Sequence, residues 1–432
     1  MRLAIVGAGP AGLAALRALT ARGFDATAFE RRPCIGGVWA LHDQDRPTAA
    51  YRSLHLITSR DRTEFAEVPM PDGTPDYPSR DAVGRYLEGY AQGFGLLDRI
   101  RLNQGVAQAE RVDGGWEIQL EGGDRERFDA LVVANGHNEE AKWPDPPYPG
   151  EFDGRQLHAL DYAEAEEFRD QNVLVVGMGN SAMDIATDIS LVADRTYLSA
   201  RHGTWVIPKR LLGRPADQII KPWAAVHVPW QLRQPLSQFL LRLTVGPPDR
   251  YGLPEPTRGL FQDHPTITDT VLSRISHGEL TPKPGIASLA AGSVAFTDGS
   301  EEAVDAIVWC TGYRVSMPFL DDSLTGPDPK QLPLYKRIFH LDCPDLYFIG
   351  LMQSTGSAFP IVERQAQILA EHLAGDWYLP SPADQRRDCE RRHRYALARW
   401  GEHGRPAMRV DFDRFMHELG EELERGRTRV GA

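Results

Sequence analysis

The sequence carries one short pattern twice, 170 residues apart: an apolar run, a glycine-rich turn and a second apolar segment. The first copy reads LAIVGAGPAGLAAL and the second reads VLVVGMGNSAMDIA. The leading apolar run fits a parallel strand that is buried on both faces. Two glycines permit a tight turn close to a pyrophosphate, and a small third residue lets a helix pack on the strand. The sequence therefore predicts two dinucleotide-binding turns, with Gly7, Gly9 and Gly12 in the first and Gly177, Gly179 and Ala182 in the second.

The polar residues that end the next strand of each unit indicate two different dinucleotides. In the first unit that strand ends in Glu30, whose carboxylate can accept hydrogen bonds from a ribose diol, as FAD or NAD requires. In the second unit it ends in Ser199, with Arg201 and His202 directly after it and no acid. A hydroxyl and a guanidinium suit the 2′-phosphate of NADP. The alternatives are ordinary glycine turns and an Arg201 that is only a solvated surface charge.

The order of elements predicts an α/β fold with two Rossmann-like dinucleotide-binding domains of three layers, the first interrupted by the second. We expect the FAD-binding domain at 1–165 and 283–432, where the second part includes the C-terminal helices. We expect the NADP-binding domain at 166–282. A Pro- and Trp-rich insertion at about 210–265 forms either part of the substrate side or a packing lid. The buried run DALVVANG returns to the first sheet and ends in Gly136, a further cofactor-binding candidate.

The charge balance argues against nucleic acid and anionic membranes as partners. The chain has 48 basic and 60 acidic side chains, a formal net charge of −12, and no basic face is evident. No apolar stretch approaches the ~18 residues needed to span a bilayer. The four cysteines form no CxxC pair and no metal-ligand spacing. We expect a cytoplasmic protein with a small-molecule substrate and no metal site. Both a monomer and a homodimer are compatible with the sequence.

A third motif lies in the linker PGEFDGRQLHALDY. Phe152, Gly154, His158 and Tyr162 match the pattern FxGxxxHxxxY, and the chain resembles the flavin-containing monooxygenases over most of its length. GAGPAG and GGVW resemble the FAD segment of that family, and GMGNSAMDIA with SARHGTWVIPKR resembles its NADPH segment. CTGY and GLMQSTG resemble its later flavin-side strands. His158 has two interpretations, a structural histidine at a hinge and a proton-transfer group.

The resemblance implies an NADPH-dependent FAD monooxygenase of the dialkylaniline-oxygenating type. Such an enzyme inserts one atom of O₂ into a small soft nucleophile, an amine nitrogen or a thioether sulfur, through a peroxyflavin. The chemistry belongs to the cofactor, while the protein supplies orientation and a dry pocket. For that reason the sequence needs no catalytic triad and no carboxylate pair. The resemblance implies FAD and NADPH as cofactors.

The resemblance also assigns cofactor contacts to individual residues. The ADP half of FAD is expected on the first glycine turn, and the flavin side is expected near GGVW and a glutamine that follows Gly350. Trp39 has a second interpretation, a packed core side chain. The FAD set is Gly7, Gly9, Gly12, Glu30, Gly36, Gly37, Trp39, Gly136, Gln353 and Ser354. The NADPH set is Gly177, Gly179, Asn180, Ser181, Ser199, Arg201 and His202.

One position departs from the family pattern. Members commonly place an asparagine beside the flavin, and that place falls on Ile57 in YRSLHLITSRDRTEFAE. Isoleucine offers no side-chain hydrogen bond, so the catalytic residue at this place is unknown. Either His55, Thr58 or Ser59 substitutes for the asparagine, or the enzyme releases hydrogen peroxide as a partial NADPH oxidase.

Other functions remain as alternatives to oxygenation of a soft nucleophile. Baeyer–Villiger enzymes share both glycine turns, but their linker motif typically ends in Trp where Tyr162 stands. Relatives that decarboxylate indole-type keto acids carry the same linker motif. A disulfide reductase is rejected because Cys34 has no partner cysteine within a few residues. A non-catalytic flavin-binding sensor is supported only by Ile57 and is opposed by the intact NADP-binding residues.

Overall fold

The computed structural model describes residues 1–41, 48–263, 265–401 and 406–431. Residues 42–47, which follow GGVW in the sequence, lie outside the described residues. The helices are α1 Pro10–Ala21, α2 Arg60–Thr63, α3 Arg80–Gly93, α4 Asn180–Ile189, α5 Pro222–His227, α6 Trp230–Thr244, α7 Val271–Ser276, α8 Asp322–Thr325, α9 Phe359–Ala374, α10 Pro382–Trp400 and α11 Phe412–Val430. The first strands are β1 Arg2–Val6, β2 Asp25–Phe29, β3 Ile100–Arg101, β4 Val106–Val112, β5 Gly115–Leu120, β6 Arg125–Phe128, β7 Ala130–Val133, β8 Glu140–Ala141, β9 Arg155–His158, β10 Asn172–Val176, β11 Arg195–Ser199, β12 Val206–Ile207 and β13 Arg210–Leu211. The remaining strands are β14 Arg214–Pro215, β15 Thr266–Ile267, β16 Thr281–Lys283, β17 Ile286–Ala290, β18 Ser293–Phe296, β19 Glu301–Ala303, β20 Ala306–Trp309, β21 Tyr313–Arg314, β22 Leu334–Tyr335, β23 Phe339–His340, β24 Leu346–Phe348, β25 Gln353–Ser354 and β26 Arg409–Val410.

The chain divides into two compact units. The first contains residues 1–46, 58–137 and 315–432, and the second contains 47–57 and 138–314. The second unit therefore interrupts the first along the chain, as the sequence predicts for an inserted NADP domain. Both units are α/β with parallel central strands, and the predicted fold class is confirmed.

The first unit has three layers around a seven-stranded sheet of order β22-β23-β24-β7-β1-β2-β3. Strands β24, β7, β1, β2 and β3 are parallel, because α1 returns the chain from the end of β1 to the start of β2. Helices α1 and α9 pack together on one side. On the other side, Trp116 and Ile118 of the antiparallel sheet β4-β5-β6 pack against Val6 and Leu131. Apolar residues of the central strands are buried on both faces, which accounts for their continuous apolar runs.

The second unit repeats this arrangement on a five-stranded parallel sheet of order β16-β11-β10-β20-β9. Helix α4 connects β10 to β11, and its residues Ala182 and Met183 pack against Val173 and Val175. The antiparallel sheet β17-β18-β19 covers the opposite face, where Phe296 contributes to the core. The insertion predicted at about 210–265 contains α5 and α6, and its Leu241 and Leu260 form a small core with Trp205 and Ile207 just before it.

The domain boundaries differ from those predicted at 165 and 282. Strand β20 within DAIVWCTGY pairs in parallel with β10 of the second unit and does not join the first sheet. Strand β9, predicted as part of a linker, forms the edge of the same second sheet beside β20. A buried apolar run shows that a strand lies inside a sheet, but it does not show which sheet. The first unit resumes at Val315.

The last two helices belong to the core of the first unit. Trp377, which is fully buried, donates a hydrogen bond from Nε1 to the carbonyl oxygen of Glu422 in α11, at 3.0 Å. The indole lies directly against Gly426, where a Cβ would overlap Nε1. Gly420 lies in the same helix, but a Cβ there would meet no described atom within 4 Å.

These two glycines provide a matched test of the packing of α11. We expect Gly426→Ala to lower the free energy of unfolding by about 1–3 kcal/mol, because the added methyl group collides with the indole. Gly420→Ala should raise it by about 0.5–1 kcal/mol, because alanine is favoured over glycine inside a helix. Thermal unfolding followed by circular dichroism measures both. Equal shifts in the two variants would contradict the contact between Trp377 and Gly426.

Candidate functional site

The first glycine turn lies at the carboxyl end of β1. Neighbouring backbone atoms there leave no space for a side chain at Gly7 or Gly12. Gly7 has a φ of +100°, and a Cβ there would lie 2.7 Å from the carbonyl oxygen of Ala134, which follows β7. A Cβ at Gly12 would overlap the carbonyl oxygen of Gly7. Helix α1 begins directly after Gly9, which caps it without a side-chain hydrogen bond. This arrangement is the uncapped helix N-terminus that a pyrophosphate requires.

Glu30 lies at the end of the neighbouring strand β2 and is buried. Its Oε2 accepts a hydrogen bond from the backbone N–H of Ala8 at 2.8 Å, and its Oε1 accepts one from the N–H of Arg32 at 3.0 Å. These bonds fix the carboxylate beside the glycine turn. Each oxygen keeps a second acceptor position for a ribose hydroxyl. The geometry therefore fits the predicted contact with the ADP half of a dinucleotide.

Other predicted FAD residues lie on the same unit. Gly37 packs directly on Gly9, since a Cβ at Gly37 would lie 3.1 Å from the Cα of Gly9. Trp39 is half-buried in the 3₁₀ turn Gly37–Trp39. Gly136 follows β7 with a φ of +78°, and a Cβ there would meet no described atom within 4 Å. Gln353 is half-buried in β25, which pairs with β26.

The second glycine turn repeats the contact of the first. Gly177 has a φ of +137°, and a Cβ there would lie 2.6 Å from the carbonyl oxygen of Cys310, which follows β20. Gly179 caps α4 without a side-chain hydrogen bond, and the half-buried Ser181 lies in the first turn of that helix. Asn180 has a supporting role, because its Oδ1 accepts a hydrogen bond from the N–H of Ile267 at 2.8 Å.

The strand end after this turn separates two residues that the sequence predicts to act together. Ser199 is buried and donates its hydroxyl hydrogen bond to the carbonyl oxygen of Pro284 at 2.6 Å. Its hydroxyl therefore holds the adjacent loop, and a contact with a 2′-phosphate stays a prediction. Arg201 is exposed, and it forms no ion pair with a carboxylate of the described residues. The chain passes close to Arg201 at Gly285, where a Cβ would lie 3.2 Å from Cγ of Arg201. His202 is exposed as well.

The motif FxGxxxHxxxY belongs to the core of the second unit. His158 ends β9, is fully buried, and accepts a hydrogen bond at Nδ1 from the N–H of Leu160 at 3.1 Å. Its Nε2 makes no hydrogen bond of normal geometry with the described residues, and the backbone of Gly312 provides only a weak interaction. Burial lowers the pKa of His158, so the imidazole is neutral at pH 7. These contacts favour the structural interpretation of His158.

The segment around Ile57 contains no obvious replacement for the asparagine of the family. Ile57 is half-buried, and the boundary between the two units falls directly after it. Thr58 donates its hydroxyl hydrogen bond to Oγ1 of Thr63 at 2.8 Å, because Thr63 itself donates to the carbonyl oxygen of Ser59. Thr58 and Ser59 are buried, and His55 is exposed.

Sequence reasoning missed a partly buried cluster of carboxylates and hydroxyls in the second unit. Tyr51 donates to Oδ2 of Asp184 at 3.0 Å. Asp188, one turn later on α4, accepts from Ser53 at 2.7 Å and from Tyr162 at 2.5 Å. These bonds attach the segment at 48–57 to α4. Two acids spaced four apart on one face of a helix are the signal that could have found the cluster.

The electrostatics of this cluster centre on Asp184. Burial raises the pKa of Asp184 to about 6, and the repulsion of Asp188 adds to this effect. Lys209, the hydrogen bond from Tyr51 and His55 act in the opposite direction. The carboxyl group is therefore partly protonated just below neutral pH.

Both glycine turns have the geometry of a dinucleotide-binding turn, and a family comparison agrees with this geometry. Residues 1–426 match the family described as flavin-binding monooxygenase-like. The chain belongs to this family. It is a flavin-dependent monooxygenase, and the family's cofactors are FAD and NADPH.

Individual relatives extend over almost the whole chain. Flavin-containing monooxygenase 2 of Homo sapiens is 31% identical over 98% of this chain and 82% of its own length. The dimethylaniline monooxygenase [N-oxide-forming] 2 of Pan troglodytes gives the same values. Among solved structures, S-allyl-L-cysteine S-oxygenase from Allium sativum matches with a TM-score of 0.72 and 26% identity, over 98% of this chain and 88% of that one. A cyclohexanone monooxygenase, at 16% identity and a TM-score of 0.74 over 99% of each chain, shares the fold.

Two further observations concern metal sites and membrane-spanning helices. The described residues contain no group of three or more His, Cys, Asp or Glu side chains that could hold a metal ion. Within those residues, no helix is both long enough and apolar enough to cross a membrane.

We expect Asp184→Asn to flatten the pH dependence of stability between about pH 4 and pH 6. Over that range the folded protein holds the proton while the unfolded chain has lost it, so stability falls as pH rises. The loss amounts to about 1–3 kcal/mol in the wild-type protein. Thermal unfolding at a series of pH values measures the difference between the two proteins.

Tyr51→Phe is the companion variant for this test. Removal of its hydrogen bond should raise the pKa of Asp184 further and extend the decline in stability to higher pH. Parallel curves for the wild-type protein and Asp184→Asn would show that Asp184 does not titrate in this range.

Proposed function

We propose that this enzyme transfers one oxygen atom of O₂ to a small amine nitrogen or thioether sulfur, with NADPH as the electron donor. The named relatives of sufficient identity support this choice of substrate class. One is N-oxide-forming and another is an S-oxygenase. The cyclohexanone monooxygenases lie at 16% identity and support the fold alone. We also propose that the enzyme works in the cytoplasm, and a homodimer remains a prediction.

The exposed Arg201 carries the assignment of NADPH. It follows the strand after the second glycine turn, where a cation can bind a 2′-phosphate. Gly177, Gly179 and Ser181 would hold the pyrophosphate at the N-terminus of α4. Ser199 and Asn180 would act indirectly, by holding the loops around Pro284 and Ile267.

The first unit would hold FAD. Glu30 would bind the ribose, and the turn containing Gly7, Gly9 and Gly12 would bind the pyrophosphate. Gly37, Trp39, Gly136, Gln353 and Ser354 are proposed for the rest of the cofactor. When bound, FAD carries two electrons from NADPH to O₂, so that one oxygen atom enters the substrate and the other leaves as water.

The oxygenation itself is tested with the FAD-loaded enzyme, NADPH and O₂. We expect an N-oxide from N,N-dimethylaniline or a sulfoxide from methyl phenyl sulfide, and no lactone from cyclohexanone. Chromatography of the products, together with the loss of NADPH absorbance, measures the yield for each substrate. A lactone without N- or S-oxygenation would favour the Baeyer–Villiger alternative. Hydrogen peroxide as the only product would identify an NADPH oxidase.

Ile57 is expected to lower the fraction of consumed NADPH that leads to oxygenated product. Isoleucine provides no hydrogen bond, and the hydroxyl of Thr58 is already used by Thr63. We expect Ile57→Asn to lower the hydrogen peroxide formed per NADPH consumed by about threefold or more, since one added hydrogen bond is worth about 1 kcal/mol. A peroxidase-coupled assay measures the ratio, and Ile57→Leu is the control that adds no polar group. An unchanged ratio would place the peroxide-controlling group elsewhere.

Arg201→Ala tests the cofactor choice. We expect the KM for NADPH to rise about 10–100-fold, because charge-assisted bonds to the 2′-phosphate are lost, while the KM for NADH stays unchanged. Arg195→Ala is the matched control, since Arg195 is an exposed arginine at the start of the same strand. Steady-state oxidation of each nucleotide provides the measurement. An equal loss with both nucleotides would mean that the 2′-phosphate binds elsewhere.

A further inference from the structure

Helices α10 and α11 and the short strand β26 line a pocket of about 40 Å³ in the first unit. Four arginines and two acids line it, a formal charge of +2 in a chain whose total is −12. The arginines are Arg391, Arg392, Arg409 and Arg414, and the acids are Asp411 and Glu418. We call this site the arginine pocket. None of its lining residues belongs to the FAD set or the NADPH set.

Aromatic rings hold two of these guanidinium groups in fixed planes. The Cζ atom of Arg392 lies 4.4 Å from the ring centre of Phe415. The Cζ atom of Arg414 lies 4.1 Å from the ring centre of Tyr395, which itself packs edge-to-face on Trp400. A guanidinium that stacks on a ring keeps its N–H donors at its edge, where they can bind two oxygen atoms of one oxyanion. The pocket is therefore ordered for an anion by its aromatic side chains.

Within the described residues, Arg392 has no carboxylate at hydrogen-bond distance. Its side chain is 15% exposed, and its buried Nη1 makes no hydrogen bond with those residues. Oε2 of Glu418 lies 3.7 Å from this atom, which is too far for a hydrogen bond, and Oε1 of Glu418 accepts one from Nε of Arg414 at 2.9 Å. A buried donor without a partner costs free energy. An acceptor in the pocket would recover that free energy.

A further cation strengthens the positive potential beside Arg392. Arg337 lies in the turn between β22 and β23, is half-buried, and forms no ion pair with a carboxylate of the described residues. Burial lowers the pKa of Arg337 to about 9, and the positive charge of Arg392 acts in the same direction. Two guanidinium groups that repel each other away from water are both stabilised by one anion bound near them.

We propose that the arginine pocket binds a phosphate group, either as inorganic phosphate or as the end group of a small phosphate ester. A dianion matches the formal charge of the lining, and guanidinium groups bind phosphate oxygens in pairs. The volume agrees with this class of ligand. One water needs about 10–15 Å³, so the pocket has room for about three water-sized groups. That space holds a phosphate group and is too small for a whole nucleotide.

The arginine pocket is joined by hydrogen bonds to the strand of a proposed flavin contact. Strand β26 pairs in parallel with β25, where Gln353 lies opposite Arg409. The N–H of Thr355 donates to the carbonyl oxygen of Val410 at 3.0 Å. A bound phosphate would hold β26 and, through it, Gln353, so the pocket would act as an effector site. This consequence rests on the proposed position of Gln353 beside the flavin, whereas the binding of phosphate does not.

Isothermal titration calorimetry with inorganic phosphate tests the binding. The FAD-loaded full chain is saturated with NADP⁺ in a phosphate-free buffer, so that the nucleotide sites do not take up the added phosphate. We expect one saturable site. Arg392→Gln should raise its dissociation constant about tenfold or more, because charge-assisted hydrogen bonds are lost, and Arg414→Gln should act in the same direction. Arg394→Gln is the matched control, since Arg394 is exposed on the same helix and does not line the pocket.

Thermal unfolding in phosphate-free buffer identifies any variant that has lost its fold. No saturable binding up to about 10 mM phosphate would overturn the proposal. So would the same affinity in the wild-type protein and in both pocket variants. Titration with glycerol 3-phosphate distinguishes the two sources of the phosphate group. An ester that binds about tenfold more weakly than phosphate identifies the free ion as the ligand, and one that binds as tightly or more tightly identifies an ester.

The visible difference spectrum of the bound flavin tests the effector role. We expect phosphate to change this spectrum with a half-saturation that equals the dissociation constant from calorimetry. Arg392→Gln should shift both values together, and Arg394→Gln should shift neither. A spectrum that stays unchanged at saturating phosphate would overturn the link between the arginine pocket and β25. Failure of the oxygenation assay would leave the calorimetric result unaffected, so the two proposals are tested separately.

Discussion

Each unit depends on one close contact between a glycine and a carbonyl oxygen. A Cβ at Gly7 would lie 2.7 Å from the oxygen of Ala134, and a Cβ at Gly177 would lie 2.6 Å from that of Cys310. In both units the partner residue directly follows the neighbouring parallel strand. The glycine turn directly follows β1 or β10. That strand and its parallel neighbour can therefore end at the same level only when the first residue of the turn has no side chain. This constraint brings the helix N-terminus to the edge of the sheet where the nucleotide binds.

The strand beside each glycine turn also has a similar sequence in the two units. DALVVANG and DAIVWCTG occupy equivalent places beside β1 and β10. Asp129 accepts a hydrogen bond from the N–H of Arg2 at 2.6 Å, and Asp305 accepts one from the N–H of Asn172 at 2.8 Å. The fold class could be predicted from the glycine turns alone. The boundary at residue 315 could also have been predicted, by comparing these two segments rather than by judging each as an isolated buried run.

Other features depend on contacts that a linear pattern does not contain. The end of β11 indicates a hydroxyl and a guanidinium near each other, but only the fold shows that Ser199 turns inward to Pro284 while Arg201 stays exposed. The apolar residues of α6 have the spacing of a core helix, yet Leu241 alone in this helix is buried and the apolar residues on the other side are exposed. Periodicity shows that a helix has an apolar face. Whether that face lies against the core or in solvent depends on the contacts that the helix makes in the fold.

The cluster on α4 bears on whether Ile57 marks an enzyme or a protein that has lost its chemistry. Tyr51 and Ser53, a few residues before Ile57, keep hydrogen bonds to Asp184 and Asp188. Removing these half-buried carboxylates from water costs free energy unless their hydroxyl partners remain in place. The segment that carries Ile57 is therefore held as an intact structure, and the change at Ile57 is confined to one side chain. A single lost hydrogen bond alters how well oxygen is used, whereas loss of function would leave no reason to maintain Arg201 and the second glycine turn.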